Sequence, residues 1–170
     1  MQSTTDTEVM LHLLARSKMP RFVERFIDAL RRASAGDELA YYEAKHRDHG
    51  QAKPVFELAL QWLKTHAPAD NGRLALVHGD FRNGNLIVGE DGLRAVLDWE
   101  LAHLGDPMED LGWLCVNSWR FGRHELPVGG FGTREDLFAG YVEAGGTLHA
   151  DRVHYWEVFG TLKWGVICEG

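Results

Sequence analysis

The feature that most constrains this chain is the segment 77–85, Val-His-Gly-Asp-Phe-Arg-Asn-Gly-Asn, together with an aspartate further along. Asp80 lies five residues before Asn85, and Asp98 follows thirteen residues after Asn85. Between them, two apolar runs flank the sequence Gly-Glu-Asp-Gly at 89–92, which predicts a β-hairpin. The polar residues therefore stand at the ends of short strands, where a loop exposes a side chain while its backbone is held.

The combination of Asp80, Asn85 and Asp98 predicts a phosphoryl-transfer site. Moving a γ-phosphoryl group requires a carboxylate that orients the attacking hydroxyl and accepts its proton. It also requires oxygen ligands for the divalent ion that bridges the nucleotide phosphates. Each residue alone is more simply interpreted as a turn former. The three together, with His-Gly before them and a hairpin between them, favour the catalytic interpretation.

These residues resemble the pattern of the aminoglycoside phosphotransferase (APH) family of kinase-like small-molecule phosphotransferases. That pattern is H-G-D-x-x-x-x-N, followed by D-W-E or a similar triplet. The resemblance implies that Asp80 is the catalytic aspartate and that Asn85 and Asp98 are magnesium ligands, with ATP as the phosphoryl donor. The stretch 98–107 further resembles the branch of the family that is associated with acyl-CoA dehydrogenases.

The resemblance also implies roles around these three residues. His78 would support the loop through hydrogen bonds, and Asp110 would brace the loop from below. Glu100 would hold a metal-bound water or reach the substrate, although a solvated acid is an equally good interpretation. Three further residues are predicted to face the substrate at the rim of the site: Arg82, Trp119 and Arg120.

The predicted fold class is α+β, mainly helical. Helices are expected over 7–18, 21–33, 38–49, 54–65, 108–119, 133–144 and 151–170, and strands over 74–77, 85–88 and 93–99. The resemblance implies that residues 1–170 form a single domain, the C-terminal lobe of a protein-kinase-like fold with a small β-hairpin at the catalytic loop. The chain has no G-x-G-x-x-G motif, and its five lysines fall in or beside helical segments. We therefore expect the N-terminal ATP-clamping lobe to be absent and the chain to be a piece of a longer protein.

Composition limits the classes of binding partner and the cellular compartment that we expect for this chain. A formal net charge of -7 disfavours nucleic acid or an anionic membrane surface as a partner. Cys115 and Cys168 lie in apolar segments and are interpreted as reduced thiols. No apolar run approaches the ~18 residues that span a bilayer, so we predict a soluble, cytoplasmic protein. Without its partner lobe, the chain is expected to self-associate through exposed apolar surface.

Three functions remain open from the sequence. The favoured one is ATP-dependent phosphoryl transfer to the hydroxyl of a small molecule, with the 170-residue piece inactive alone. The second is a non-catalytic fragment or binding module that retains the kinase-like lobe. The third is a metal-dependent phosphohydrolase in which Asp80, Asp98 and Glu100 hold metal and activate water. For the first, a hydroxyacyl thioester or another metabolic hydroxyl ranks above an aminoglycoside as the substrate.

Overall fold

A computed structural model describes residues 34–69 and 75–169. The helices in this part are α1 (Ala35–Asp48), α2 (Pro54–Thr65), α3 (Met108–Leu114), α4 (Arg134–Glu143) and α5 (Ala150–Ile167). The strands are β1 (Ala75–Val77), β2 (Leu86–Gly89), β3 (Gly92–Val96) and β4 (His103–Gly105), with short 3₁₀ helices at Asn83–Asn85, Trp99–Leu101 and Asn117–Arg120. The prediction of a mainly helical α+β fold is confirmed. The helices expected over 7–18 and 21–33 lie outside the described residues.

Local sequence explains where the helices begin and end. The Ser34 hydroxyl accepts a hydrogen bond from the Asp37 N–H, and the Asp37 carboxylate accepts one from the Ser34 N–H, both at 3.3 Å. This capping box starts α1 three residues before the predicted position, at Ala35. Pro54 opens α2 as predicted, because proline needs no hydrogen bond in the first turn. The Thr133 hydroxyl caps α4 by accepting from the Asp136 N–H at 3.1 Å.

The long helix α5 is the centre of the core and packs against α1, α2 and α3. Its Trp156 and Phe159 are almost fully buried, together with Leu63 of α2. A Cβ atom on Gly112 of α3 would lie 2.6 Å from the Cβ of Trp156. Glycine therefore allows α3 to approach α5 closely, and this approach fixes the side of α3 that faces the β1 loop. No helix in the described ranges is long and apolar enough to span a membrane.

Two small antiparallel sheets frame the loops of interest. The hairpin β2–β3 pairs Leu86 with Val96 and was predicted. Strand β1 pairs with β4, which was not predicted, so that Val77 lies opposite His103. Strand β3 ends at Val96, earlier than the predicted Trp99, because Asp98 adopts a left-handed conformation with φ 67°. These pairings bring the chain after β1 beside the chain that leads into β4.

Helix α3 is shorter than the sequence predicted. It ends at Leu114 instead of Trp119, and a separate 3₁₀ turn follows at Asn117–Arg120. Val116 between them is extended, with φ -55° and ψ 135°. Its side chain packs on α5, where a Cβ on Gly160 would lie 2.8 Å from the Val116 Cγ2. Burial of this β-branched side chain against a glycine therefore competes with helix continuation.

Candidate active site

The segment 78–85, here called the Asp80 loop, leaves the end of β1 through a glycine that no other residue could replace without strain. Gly79 has φ 81°, and a Cβ there would lie 2.6 Å from the Leu101 carbonyl oxygen. Positive φ is unfavourable for residues with a Cβ, and the close approach adds a steric clash. Gly79 thus lets the Asp80 loop lie directly on the turn that contains Leu101.

The carboxylate of Asp80 is held by three side-chain donors. Its Oδ1 accepts from the Trp113 indole Nε1 at 2.9 Å, and its Oδ2 accepts from the Asn85 Nδ2 at 2.8 Å. The Arg82 Nε lies 3.2 Å from both oxygens. The Asp80 side chain is 18% exposed, so the carboxylate still reaches solvent. Its orientation is therefore fixed while one edge stays accessible to a substrate.

Asn85 is buried, and its amide is oriented by two acceptors. The Nδ2 donates to the Asp80 main-chain oxygen at 2.9 Å as well as to the Asp80 carboxylate. Both contacts are made by the NH₂ group. The amide oxygen Oδ1 accepts no hydrogen bond from the described residues. The main-chain oxygen of Asn85 accepts from the Leu97 N–H at 2.8 Å. Asn85 is therefore tied both to Asp80 and to the residue before Asp98.

His78 is buried and joins the same two segments. Its Nδ1 accepts from the Asp80 N–H at 3.1 Å, and its Nε2 lies 2.8 Å from the Leu97 carbonyl oxygen. One neutral tautomer, with the proton on Nε2, satisfies both contacts. His78 thus joins the Asp80 loop to Leu97 through hydrogen bonds inside the fold.

Asp98 is exposed and has the left-handed conformation noted above. Aspartate is one of the few residues that tolerate this region, and such strain persists where the surroundings hold it. Here both main-chain groups of Leu97 are bound, to Asn85 and to His78. The Asp98 carboxylate has no hydrogen-bond partner among the described residues. Glu100 is also exposed, and no described contact joins it to Asp80.

Asp110 in the first turn of α3 accepts two main-chain donors of the Asp80 loop. Its Oδ2 lies 2.7 Å from the His78 nitrogen, and its Oδ1 lies 3.0 Å from the Gly79 nitrogen. Burial raises the pKa of Asp110 to about 6, although the two N–H donors act to lower it. The carboxylate is ionised above that pH and links α3 to the main chain of the Asp80 loop.

The three predicted rim residues have different environments. Arg82 lies over the Trp119 ring, with its guanidinium carbon 5.1 Å from the ring centre, and also contacts Asp80. Trp119 itself is buried in an aromatic cluster with Trp113 and Trp164. The Nη2 of Arg120 donates to the Cys115 carbonyl at 2.8 Å and to Glu157 at 3.0 Å. Packing and ion pairing thus account for Trp119 and Arg120, and only Arg82 reaches Asp80.

Two residues at the site escaped the sequence analysis. Trp113 was not among the predicted site residues, yet its indole N–H donates to Asp80. Lys163 is 3% exposed, and its Nζ donates to the Gly79 carbonyl oxygen at 3.0 Å. A signal for Lys163 was present, because it lies seven residues after the buried Trp156 and so on the apolar face of α5. A lysine on such a face needs a partner.

By their chemistry, two oxygen donors at the site could hold a magnesium ion that shares its coordination with phosphates and water. Asn85 Oδ1 and the Asp98 carboxylate are hard ligands without other partners among the described residues. Magnesium typically takes one or two carboxylates from the protein and keeps several waters or phosphate oxygens. No group of three or more His, Cys, Asp or Glu side chains in the described ranges is placed to hold a metal. The donor set therefore suits a nucleotide-bound ion better than a metal cage made by protein alone.

Comparison with known sequences gives a family match and several relatives. The APH model, described as a phosphotransferase enzyme family, matches residues 10–146. Acyl-CoA dehydrogenase family member 10 of Mus musculus is 33% identical over 128 residues, which cover 69% of this chain and 12% of that protein. Family member 11 of Gallus gallus is 40% identical over 75 residues, covering 43% of this chain and 9% of that protein. The resemblance to the branch associated with acyl-CoA dehydrogenases is confirmed.

Solved structures share the fold at low sequence identity. A Ralstonia eutropha protein described as a candidate aminoglycoside phosphotransferase superposes with a TM-score of 0.67 at 20% identity. A type I macrolide 2′-phosphotransferase superposes with a TM-score of 0.60 at 18% identity. Each match covers 95% of this chain and 53% and 52% of those proteins, respectively. The chain therefore spans about half the length of these two structures and a smaller share of the curated relatives.

Proposed function

Because the chain belongs to the APH phosphotransferase family, we propose that it carries the catalytic residues of an ATP-dependent transfer of phosphate to a small-molecule hydroxyl. One observation carries the proposal. The carboxylate of Asp80 is oriented by three donors, and one of these donors is the amide of Asn85. The main-chain oxygen of Asn85 in turn accepts from the Leu97 N–H, one residue before Asp98. This is the arrangement that a catalytic carboxylate next to a metal-bound nucleotide requires.

Asp80 orients the acceptor in the proposed reaction. The acceptor hydroxyl would donate to a carboxylate oxygen of Asp80, which would take the proton as the hydroxyl oxygen bonds to the γ-phosphorus of ATP. The bond between that phosphorus and the β–γ bridging oxygen breaks at the same time, and ADP leaves. Of the three donors, Arg82 makes the longest contacts, at 3.2 Å, and its side chain is 29% exposed. The hydroxyl therefore displaces Arg82, while Trp113 and Asn85 keep the carboxylate in place.

Asn85 Oδ1 and the Asp98 carboxylate would hold the magnesium ion. When bound, the ion would supply positive charge that offsets the negative charge of the nucleotide phosphates. The protein residues contribute position. Leu97 is hydrogen-bonded to both Asn85 and His78, so the main chain next to Asp98 is tied to the Asp80 loop. Glu100 remains a candidate for contact with a metal-bound water or the substrate.

We propose that the parts that clamp ATP come from sequence outside these 170 residues and that the chain alone is inactive. A Gly-rich phosphate loop is absent from the sequence, and the only buried lysine described, Lys163, lies beneath the Asp80 loop. The hairpin and the turn after it expose apolar side chains that such a partner lobe would cover and that would otherwise favour self-association: Ile87, Val88, Leu93, Leu97 and Leu101. A cytoplasmic location is part of the same proposal.

For the acceptor we propose a hydroxyacyl thioester or a related metabolic hydroxyl ahead of an aminoglycoside. The curated relatives described above are acyl-CoA dehydrogenase family members, whereas the two solved structures share only the fold. The phosphohydrolase alternative has less support. Asp80, Asp98 and Glu100 do not form a group of carboxylates that could hold a metal together. A binding module without catalysis remains the competing function.

Replacement of Asp80 by asparagine tests the proposal in the protein at its natural length. The amide cannot accept the proton, so we expect kcat to fall by about 10²–10⁴-fold with the KM for ATP little changed. ADP release is measured with a 3-hydroxyacyl-CoA and, separately, with an aminoglycoside. Asp91→Asn on the exposed hairpin turn is the matched control and should keep the wild-type rate.

The same assay separates the competing functions. Asp98→Ala should remove the magnesium dependence of nucleotide binding. Wild-type turnover in Asp80→Asn would reject the catalytic assignment. ATP binding without turnover of any hydroxyl substrate would support the binding module, and ATP-independent release of phosphate from a phosphomonoester would support the hydrolase.

A further inference from the structure

Lys163 is a buried cation for which the proposed reaction has no direct use. It is 3% exposed, and no carboxylate lies within 4 Å of its Nζ among the described residues. Burying an ammonium group without a counter-ion is unfavourable unless other contacts replace its hydration. Its partners are the Gly79 carbonyl oxygen, the Trp113 ring centre at 4.7 Å and the Tyr42 ring centre at 5.6 Å. A side chain kept at such a cost is a candidate for function.

We propose that Lys163 is a positioning residue that sets the orientation of Asp80 from beneath the loop, through the Gly79 carbonyl and the Trp113 indole. The inference rests on the proposed role of Asp80 in phosphoryl transfer. Lys163 itself touches neither substrate nor nucleotide in this proposal. It acts through two separate contacts, one on the backbone of Asp80 and one on its carboxylate.

The first contact fixes the peptide group that joins Gly79 to Asp80. Lys163 donates to the carbonyl oxygen of this peptide, and the N–H of the same peptide donates to the His78 Nδ1 at 3.1 Å. The peptide plane is thus held at both ends. This matters because Gly79 has positive φ and the wide conformational freedom of glycine. With the peptide plane fixed, the direction in which the Asp80 side chain leaves the backbone is also fixed.

The second contact acts on the donor that orients the Asp80 carboxylate. The Lys163 ammonium lies over the face of the Trp113 ring, and the edge of the same ring donates Nε1–H to the Asp80 Oδ1 at 2.9 Å. A cation on the ring face is attracted by the π-electrons and holds the indole in place. It also polarises the ring, which strengthens the N–H as a donor in a low-dielectric site. One ammonium group therefore supports both the backbone and the carboxylate of Asp80.

A purely electrostatic role for Lys163, neutralising nearby acids, is less well supported. Glu109 is buried on the same side of α3, but it pairs with His103 at 3.1 Å. Glu38 has its pKa raised chiefly by burial, with only a smaller opposing effect of Lys163. The direct contacts of Lys163 are with Gly79 and the aromatic rings. The two roles predict different results when the lysine is changed.

Lys163→Met tests the inference because methionine has a similar length and no charge. Hydrogen exchange of the Asp80 amide and the Trp113 indole N–H is followed by NMR in the 170-residue chain. We expect exchange at these two groups to accelerate by about 10- to 100-fold, as for loss of a hydrogen bond to a charged group. Protected amides of α2 should keep their rates. Lys64→Met is the matched control, since Lys64 is 52% exposed and pairs with Glu43 on the surface.

Turnover gives the second readout, in the protein at its natural length. Lys163→Met should lower kcat by about tenfold or more with the KM for ATP unchanged, because the metal ligands are untouched. Lys163→Arg, which keeps the charge, should recover part of that loss. Trp113→Phe keeps a ring beneath the ammonium but removes the N–H, so kcat should fall while exchange at the Asp80 amide stays close to wild type.

The exchange and turnover measurements distinguish failure of the positioning role of Lys163 from failure of the proposed role of Asp80. Unchanged exchange at Asp80 and Trp113 in Lys163→Met, or equal acceleration of all protected amides, would overturn the positioning role. If Lys163→Met does not fold, Lys163→Arg and Trp113→Phe decide, and wild-type kcat in Trp113→Phe would reject the indole contact. Full turnover in Asp80→Asn would refute the proposed function, whereas the exchange measurements do not depend on catalysis.

Discussion

Replacing Asp110 by asparagine is the sharpest test of how α3 holds the Asp80 loop. At about pH 8 the carboxylate is ionised, since burial raises its pKa only to about 6. Each oxygen then accepts one main-chain N–H, from His78 at 2.7 Å and from Gly79 at 3.0 Å. Asparagine keeps one acceptor oxygen and turns an NH₂ group toward the other donor. One hydrogen bond to a charged group is lost, and one N–H is left unsatisfied.

The expected cost follows from these two losses. A hydrogen bond to a charged group contributes about 1.5–3 kcal/mol, and leaving its buried partner unpaired adds to that, so we expect a loss of about 2–4 kcal/mol in the free energy of unfolding. Urea unfolding is followed by tryptophan fluorescence, for which the chain has six tryptophans, including Trp113 at the site. Asp91→Asn makes the same chemical change at a side chain that is 70% exposed and should cost less than about 0.5 kcal/mol.

Similar losses in the free energy of unfolding for Asp110→Asn and Asp91→Asn would contradict the role of Asp110 as a brace. If Asp110→Asn lost no more stability than Asp91→Asn, the N–H groups of His78 and Gly79 would have other acceptors, and α3 would not brace the loop. A stability loss with unchanged kcat would separate folding from function: the brace would hold the domain together without setting the geometry of Asp80.

Two further predictions concern the turn beside the loop. Burial lowers the pKa of His103, but the hydrogen bond and charge of Glu109 outweigh it and raise the pKa to about 9. The stability from this pair is complete below about pH 6.5 and is lost as pH rises through about 9, so urea unfolding should give a gap of about 2–3 kcal/mol between wild type and His103→Gln that closes by pH 10. A gap that is constant with pH would contradict this. Gly79→Ala should cost about 2–3 kcal/mol more than Gly122→Ala, because both glycines have positive φ but only Gly79 faces an atom, the Leu101 oxygen, at 2.6 Å. Equal losses in the two variants would show that the Leu101 contact is unimportant.

The parts of the fold that were predictable depend on local chemistry. Helix α2 begins at Pro54 and ends at Thr65 as predicted, because proline marks the first turn and apolar spacing marks the face. The hairpin was also predictable, since a turn sequence with glycine at both ends separates β2 from β3. The spacing of Asp80, Asn85 and Asp98 was enough to place them at neighbouring strand ends. None of these predictions requires knowledge of distant contacts.

The parts that were missed depend on distant contacts. Strand β4 has only three residues and forms because β1 lies beside it. It is too short to show the alternation of apolar and polar residues that predicts a strand. The extension predicted for α3 fails at Val116, where packing against Gly160 of α5 outweighs helix propensity. Lys163 was counted among helical lysines, since its partner at Gly79 lies 84 residues earlier in the chain. Its position on the apolar face of α5 could be inferred from helical spacing, but no sequence pattern identifies a hydrogen-bond partner so far away along the chain.

Residues outside the 77–85 motif also control the position of Asp80. In the proposed reaction the motif supplies the reacting groups. The indole donor that orients Asp80 from outside the motif comes from Trp113 on α3, and the backbone of the loop is held by Asp110 on α3 and Lys163 on α5. Both helices are fixed against each other by the close approach of Gly112 to Trp156. A change in that packing would shift the donors relative to the carboxylate, and catalysis is sensitive to displacements of about 1 Å. Substitutions at the contact of α3 with α5 should therefore lower kcat even when every residue of the 77–85 motif is intact.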